Sequence, residues 1–166
     1  MPEVNTMSGS SAAICSTSGA IMSNWGSSEV DGMYWGCLLY TSTGKTSSLL
    51  GASAAALLNA LKVMAGIPDE LKLISPSVIQ PIQHLKVDHM GNRNPRLHTD
   101  EVLIALAISA ATDENASIAM DQLSELKDCD AHSTVILSQV DDGMFKKLGV
   151  NITCEPDYQD RNLYHK

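Results

Sequence analysis

The run from Ala52 to Ala65 dictates much of how this chain must fold. It is rich in Ala and Leu, and only Ser53, Asn59 and Lys62 interrupt its apolar character. Gly66 follows as a C-cap and Pro68 lies just beyond, which predicts a helix with both ends marked. A helix that is apolar on nearly every side must be buried. The rest of the fold therefore has to wrap around it. Ser77 and Gln80 form a capping-box pattern for a second helix through about Val87. Pro81 falls in its first turns, where a lost hydrogen bond costs least. Thr99, followed by Asp100 and Glu101, caps a third helix whose body, Val102 to Ala111, is almost wholly apolar. Asp113 opens a fourth, with Ala116, Ala119, Met120, Leu123 and Leu126 on one face. A short fifth helix runs from Asp141 to Leu148 and ends at Gly149.

Strands are expected at Leu71–Ile74, at the β-branched run Ser133–Ser138, and at Val150, Ile152 and Cys154, which alternate. The order strand, short helix, strand suggests a crossover between parallel strands. The expected class is α/β, with a small sheet of three to four strands covered by about five helices. Aromatic residues make up only 4% of the chain, so aliphatic side chains must supply most of the core. The polar tail from Glu155 to Lys166 carries Tyr158 and Tyr164 as expected clamps.

Residues 1–42 differ from residues 43–166. Ser, Thr and Gly dominate, no Lys or Arg occurs before Lys45, and no periodicity persists. Such a stretch buries too little apolar surface to offset backbone entropy of about 1–2 kcal/mol per residue. It reads as a disordered or artefactual leader. Trp25 and Trp35 within it read either as partner anchors or as part of a non-native segment. The string Cys37-Leu38-Leu39-Tyr40-Thr41-Ser42 resembles translated sequencing adapter found in metagenomic assemblies.

Net charge and cysteine usage bound the function. Nineteen acidic against eleven basic residues give a charge of −8. A nucleic-acid-binding face needs the opposite sign. No apolar run reaches the roughly 18–20 residues of a membrane span. The four cysteines, Cys15, Cys37, Cys129 and Cys154, form no CxxC pair, and the N-terminus has neither a basic n-region nor an apolar h-region. The expectation is free thiols in a reducing, cytoplasmic compartment.

Candidate chemistry is sparse. Gly44-Lys45-Thr46 suggests a phosphate loop, but the first glycine of GxxxxGK[ST] is replaced by Leu39. Cys129 and His132 have CxxH spacing, but a zinc site usually needs a second ligand pair, so no metal and no cofactor are expected. Cys129 or Cys154 with His132 as base, beside Ser133, forms a weak nucleophile constellation. Asn92, Arg93 and Thr134 are weak candidates for ligand binding, the first two because they place a cation and an amide in one loop. Asp141 and Asp142 sit at a helix start and read as caps.

Several strings, taken in order, resemble one family. They are Thr43-Gly44-Lys45-Thr46-Ser47-Ser48, Gly51-Ala52-Ser53-Ala54-Ala55, Leu73-Ile74-Ser75-Pro76, Glu101-Val102-Leu103-Ile104-Ala105-Leu106, Ala131-His132-Ser133-Thr134, Leu148-Gly149, Thr153-Cys154-Glu155-Pro156 and Asn162-Leu163-Tyr164. Together they resemble the C-terminal part of a mostly bacterial family, the domain of unknown function numbered eighteen forty-six. The resemblance covers Thr43 to Lys166. It implies a longer parent whose N-terminal α/β portion carries a glycine-rich stretch similar to a phosphate-binding loop. On that reading the chain is a truncated C-terminal domain behind an unrelated leader, and its first partner is the missing N-terminal domain.

Two functions follow as expectations. The first is an accessory or assembly domain of a larger protein that handles a nucleotide or phosphate ligand, with homo-oligomers forming when the partner is absent. The alternative is a small-molecule enzyme or binding site built around Cys129, His132, Ser133 and Cys154.

Overall fold

A computed structural model describes residues 32–37 and 40–156. Among the described residues, four strands form one sheet in the order β2-β1-β3-β4. They are β1 (Gly32–Cys37), β2 (Tyr40–Lys45), β3 (Asp130–Ser133) and β4 (Asn151–Cys154). Five described α-helices accompany them: α1 (Ala52–Ala65), α2 (Pro76–His84), α3 (Thr99–Ala110), α4 (Glu114–Asp121) and α5 (Gln139–Lys147). A π turn, Leu85–His89, extends α2, and a 3-10 turn, Gln122–Leu126, extends α4. The α/β class, the small sheet and the helix complement agree with the sequence reading.

β1 pairs antiparallel with β2 on one side and with β3 on the other, while β3 and β4 are parallel. The helix α5 connects that parallel pair, as the strand, helix, strand pattern anticipates. β1 and β2 form a hairpin that spans residue 42. β3 supplies the second neighbour of β1, with Trp35 opposite Ala131 and Gly36 opposite Asp130, a long-range pairing that carries no local sequence signal. The expectations for Trp25 and the earlier serine strings, and for Tyr158 and Tyr164, fall outside the described residues.

α1 is the centre of the domain, with Ala54, Ala56, Leu57 and Leu61 fully buried. It ends in a Schellman motif: Ile67 N–H donates to Lys62 O at 2.9 Å and Gly66 N–H to Val63 O at 3.2 Å, with Gly66 at φ 67°. The left-handed backbone there is the reason for glycine. α1 packs on the sheet face presented by Ser42 and Gly44, which are buried while Thr43 and Lys45 are exposed. A Cβ on Gly44 would lie 2.1 Å from Ala56 N. The glycine of Gly44-Lys45-Thr46 therefore serves helix–strand contact, inside a strand and not in a phosphate loop.

Three other expectations change. Leu71–Ile74 forms no strand: Leu73 and Ile74 are buried, but in turns that lead to Ser75, the N-cap of α2. The strand expected at Ser133–Ser138 lies instead at Asp130–Ser133, flanked by partners on both sides. Beyond it, Ser133 Oγ donates to Val135 O at 2.8 Å in a turn, and Ser138 becomes the N-cap of α5. The N-cap of α3 is His98, with Thr99 as the first helical residue. Asp113 does cap α4, accepting from Asn115 N and Ala116 N. No described helix is long and apolar enough to cross a membrane.

Candidate functional site

The residues singled out from sequence do not converge. Along β3, Ala131 and Ser133 are buried and face the helices, whereas Asp130 and His132 lie on the other face. Strand alternation thus points His132 and Ser133 in opposite directions. His132 Nδ1 lies 2.8 Å from Thr153 Oγ1, its in-register neighbour on β4, and Nε2 lies 3.3 Å from Glu155 Oε1. Ser133 and Cys154 are register partners, but the Ser133 hydroxyl is held by its turn and Cys154 is exposed. Thr134 follows in the same bend and is half-buried. Asn92 and Arg93 are exposed in the loop after the π turn, where Asn92 N donates to Lys86 O at 3.0 Å.

The expectation of free thiols is corrected at Cys129. It is disulfide-bonded and 1% exposed. Its Sγ lies 3.4 Å from Glu125 O, but a disulfide sulfur has no proton to donate. A thiolate nucleophile is unavailable there in this state. Cys154 is a free thiol. The side chains of Cys15 and Cys37 lie outside the described residues. Among the described residues, no three His, Cys, Asp or Glu side chains are grouped to hold a metal ion.

The structure instead assembles a polar centre around His98 and Asp141. Asp141 sits in the first turn of α5 and is 6% exposed. Its Oδ1 accepts the Thr99 N–H at 3.0 Å and the Thr99 hydroxyl at 2.9 Å. Its Oδ2 accepts the Ser138 hydroxyl at 2.8 Å and lies 3.2 Å from His98 Nδ1. One carboxylate thus caps α3 and accepts the hydroxyl of Ser138, the N-cap of its own helix. That position suits a negative charge, because the Thr99 N–H at the start of α3 donates to it and Asp141 itself lies in the first turn of α5.

A second layer supports the first. The His98 N–H donates to Glu101 Oε2 at 2.8 Å, and Lys86 Nζ contacts the same oxygen at 2.7 Å. Lys86 Nζ also donates to Arg96 O at 2.7 Å. Lys86 is 4% exposed, so its ion pair with Glu101 satisfies a charge that would otherwise be costly to bury. The network links the π turn, the loop before α3, and helices α3 and α5.

Protonation follows from these contacts. The hydrogen bond to Asp141 raises the His98 pKa above its ordinary value, against the opposing effect of burial. Burial pushes Asp141 upward, but hydrogen bonds from His98, Thr99 and Ser138 outweigh it and hold the carboxyl below the usual range. Among the described residues nothing else hydrogen-bonds to His98 Nε2, which leaves an oriented imidazole able to exchange a proton. The adjoining cavity is lined by His98, Asp141, Ser53 and Ser133 among others, and its volume is about 30 Å³. That holds one or two waters, not a substrate. The geometry makes this centre a lock between helices.

Sequence reasoning missed this centre for a definable reason. Asp141 was legible as a helix-start residue, but its distance from His98, 43 positions away, carries no local signal. The hint available was a helix start at His98-Thr99 whose N-cap side chain leaves the helix's own N–H groups without a cap.

Comparison with known proteins agrees with the resemblance carried by the short strings. Residues 40–164 match the family described as domain of unknown function DUF1846, C-terminal. The chain is 61% identical over 124 residues to a UPF0371 protein of Corynebacterium efficiens, covering 75% of this chain and 25% of that protein. It is 62% identical over 125 residues to a UPF0371 protein of Corynebacterium aurimucosum and 56% identical over 124 residues to one of Streptococcus thermophilus, with the same two coverages. The chain therefore spans about a quarter of the length of these curated relatives. By a match across most of its length, the chain belongs to the DUF1846 family, in the region of that family's C-terminal domain.

Proposed function

We propose that this α/β unit acts as an assembly domain, packing against the rest of a longer protein through the outer face of α3. The observation that carries this reading is the two-sidedness of that helix. Val102, Ala105 and Leu106 are fully buried, yet Ile104 is 62% and Ile108 is 55% exposed. These two isoleucines are four residues apart and share one helical stripe with the exposed Ala107 between them. Exposed apolar stripes of this kind mark interaction surfaces. The relatives carry about three quarters of their length beyond the matched region, which is ample chain to cover the stripe. Any nucleotide or phosphate handling belongs, on this reading, to that remainder.

Light scattering on the isolated chain tests the proposal. The expected result is self-association through the uncovered face, abolished by the double substitution Ile104→Ser, Ile108→Ser. Mixing with the separately produced remainder of the Corynebacterium efficiens relative should replace self-association by a one-to-one complex. A wild-type chain that stays monomeric at high concentration and ignores that remainder would overturn the reading.

A further inference from the structure

Among the described residues the fold buries Lys62 and Lys86, in different company. Lys86 has Glu101 as its counter-ion at 2.7 Å. Lys62, in the last turn of α1, is 7% exposed, and its Nζ donates to the Asp69 backbone carbonyl at 2.9 Å. No described carboxylate pairs with it; the ion pairs of the described residues lie elsewhere. An ammonium has three donors, and one neutral acceptor leaves most of its charge uncompensated. The carbonyl end of α1 softens that charge without neutralising it.

Lys62 lines a cleft of about 220 Å³ between α1 and the Leu73–Ile79 segment. Its walls include Leu50, Leu58, Ile74 and Ile79, Lys72 adds a second cation, and among the described residues no Asp or Glu takes part. The polar Asn59 is already committed, since its Nδ2 donates to Thr43 O at 2.8 Å. In a chain of net charge −8, this is a local positive, apolar-walled pocket. Its volume corresponds to about seven waters at roughly 30 Å³ each, enough for one charged head and a short hydrocarbon body.

We propose that this cleft binds a short-chain monocarboxylate, with its anionic head on Lys62 Nζ and its apolar body against Leu58, Ile74 and Ile79. The charge selects the head, because a carboxylate on an ammonium makes a charge-assisted hydrogen bond that an alcohol cannot match. An amine is repelled by Lys62 and Lys72 together. The exposed stripe of α3 contributes nothing to this cleft, so the site stands or falls independently of the assembly role.

The test is a titration of the full chain with hexanoate, hexan-1-ol and hexylamine, followed by methyl NMR. Hexanoate is expected to shift the Leu58, Ile74 and Ile79 methyls saturably, with hexanol and hexylamine weaker by about tenfold or more. Lys62→Met keeps the length and apolar stem but removes the charge, and should weaken hexanoate to the level of hexanol. Absence of saturable shifts, equal binding of hexanol, or undiminished hexanoate binding to a folded Lys62→Met protein would overturn the proposal. If that variant does not fold, the comparison of hexanoate with hexanol on the wild-type chain decides.

Discussion

Asp141 in α5 caps α3 across the domain, accepting both the backbone N–H and the hydroxyl of Thr99 at 3.0 and 2.9 Å. A cap supplied from 42 residues away couples the start of one helix to the placement of another. The buried carboxylate is satisfied on both oxygens, so removing it strands several donors at once.

Asp141→Asn keeps the shape but removes the charge and turns one acceptor into a donor facing Ser138 or His98. Hydrogen bonds to a charged group are worth roughly 1.5–3 kcal/mol each, and breaking a buried pair costs more. The expected loss is about 2–4 kcal/mol in urea denaturation. The His98 imidazole should also titrate at lower pH in the variant, which NMR reads directly. A merely steric role for Asp141 would leave that titration unmoved.

Stability should depend on pH from both sides of this pair. The folded His98 pKa is raised, so its contribution is complete below the unfolded value near 6.5 and is lost as pH rises through the folded value. The folded Asp141 pKa is lowered, so its contribution is present above about 3.9 and is lost as pH falls through the folded value. The pair is therefore fully effective between about pH 4 and 6.5. Denaturation across pH 3 to 9 should show His98→Gln flattening the alkaline decline that the wild-type chain shows.

Two buried positions on one face of β2 should respond oppositely to alanine. At Gly44 the new Cβ would meet the α1 backbone at 2.1 Å, which a backbone cannot relieve cheaply. Gly44→Ala should cost about 3 kcal/mol or more by forcing the helix off the sheet. Ser42 is 8% exposed and its hydroxyl has no hydrogen-bond partner among the described residues. Ser42→Ala should be neutral or raise the melting temperature, since it removes an unsatisfied polar atom.

Thiol chemistry distinguishes the two described cysteines. Cys154 is exposed and free, whereas Cys129 is disulfide-bonded and buried. Iodoacetamide on the native chain should modify Cys154, and peptide mapping should find Cys129 modified only after reduction and unfolding. Modification of Cys129 in native, unreduced protein would contradict its disulfide.

Much of the fold was legible because its signals are local. The Ala and Leu run of α1 with Gly66 behind it, Asp113 before α4, and the alternation at Val150, Ile152 and Cys154 each declare themselves within a few residues. Sequence order also carried the family resemblance and the parallel pairing of β3 with β4. Long-range relationships decided the rest. Leu73 and Ile74 carry strand-like side chains, but with no described strand beside them they serve as core residues in turns. Gly32–Cys37 carries the strand-favouring Tyr34 and Trp35 beside two glycines, and its pairing on both edges places it in the sheet. His132 and Ser133, adjacent in sequence, are separated by the two faces of a strand. His98 and Asp141, distant in sequence, are joined because packing α3 and α5 together buries a carboxylate that must find donors. Local chemistry chooses helices, caps and turns; which charges and hydroxyls meet depends on how those elements close over one another.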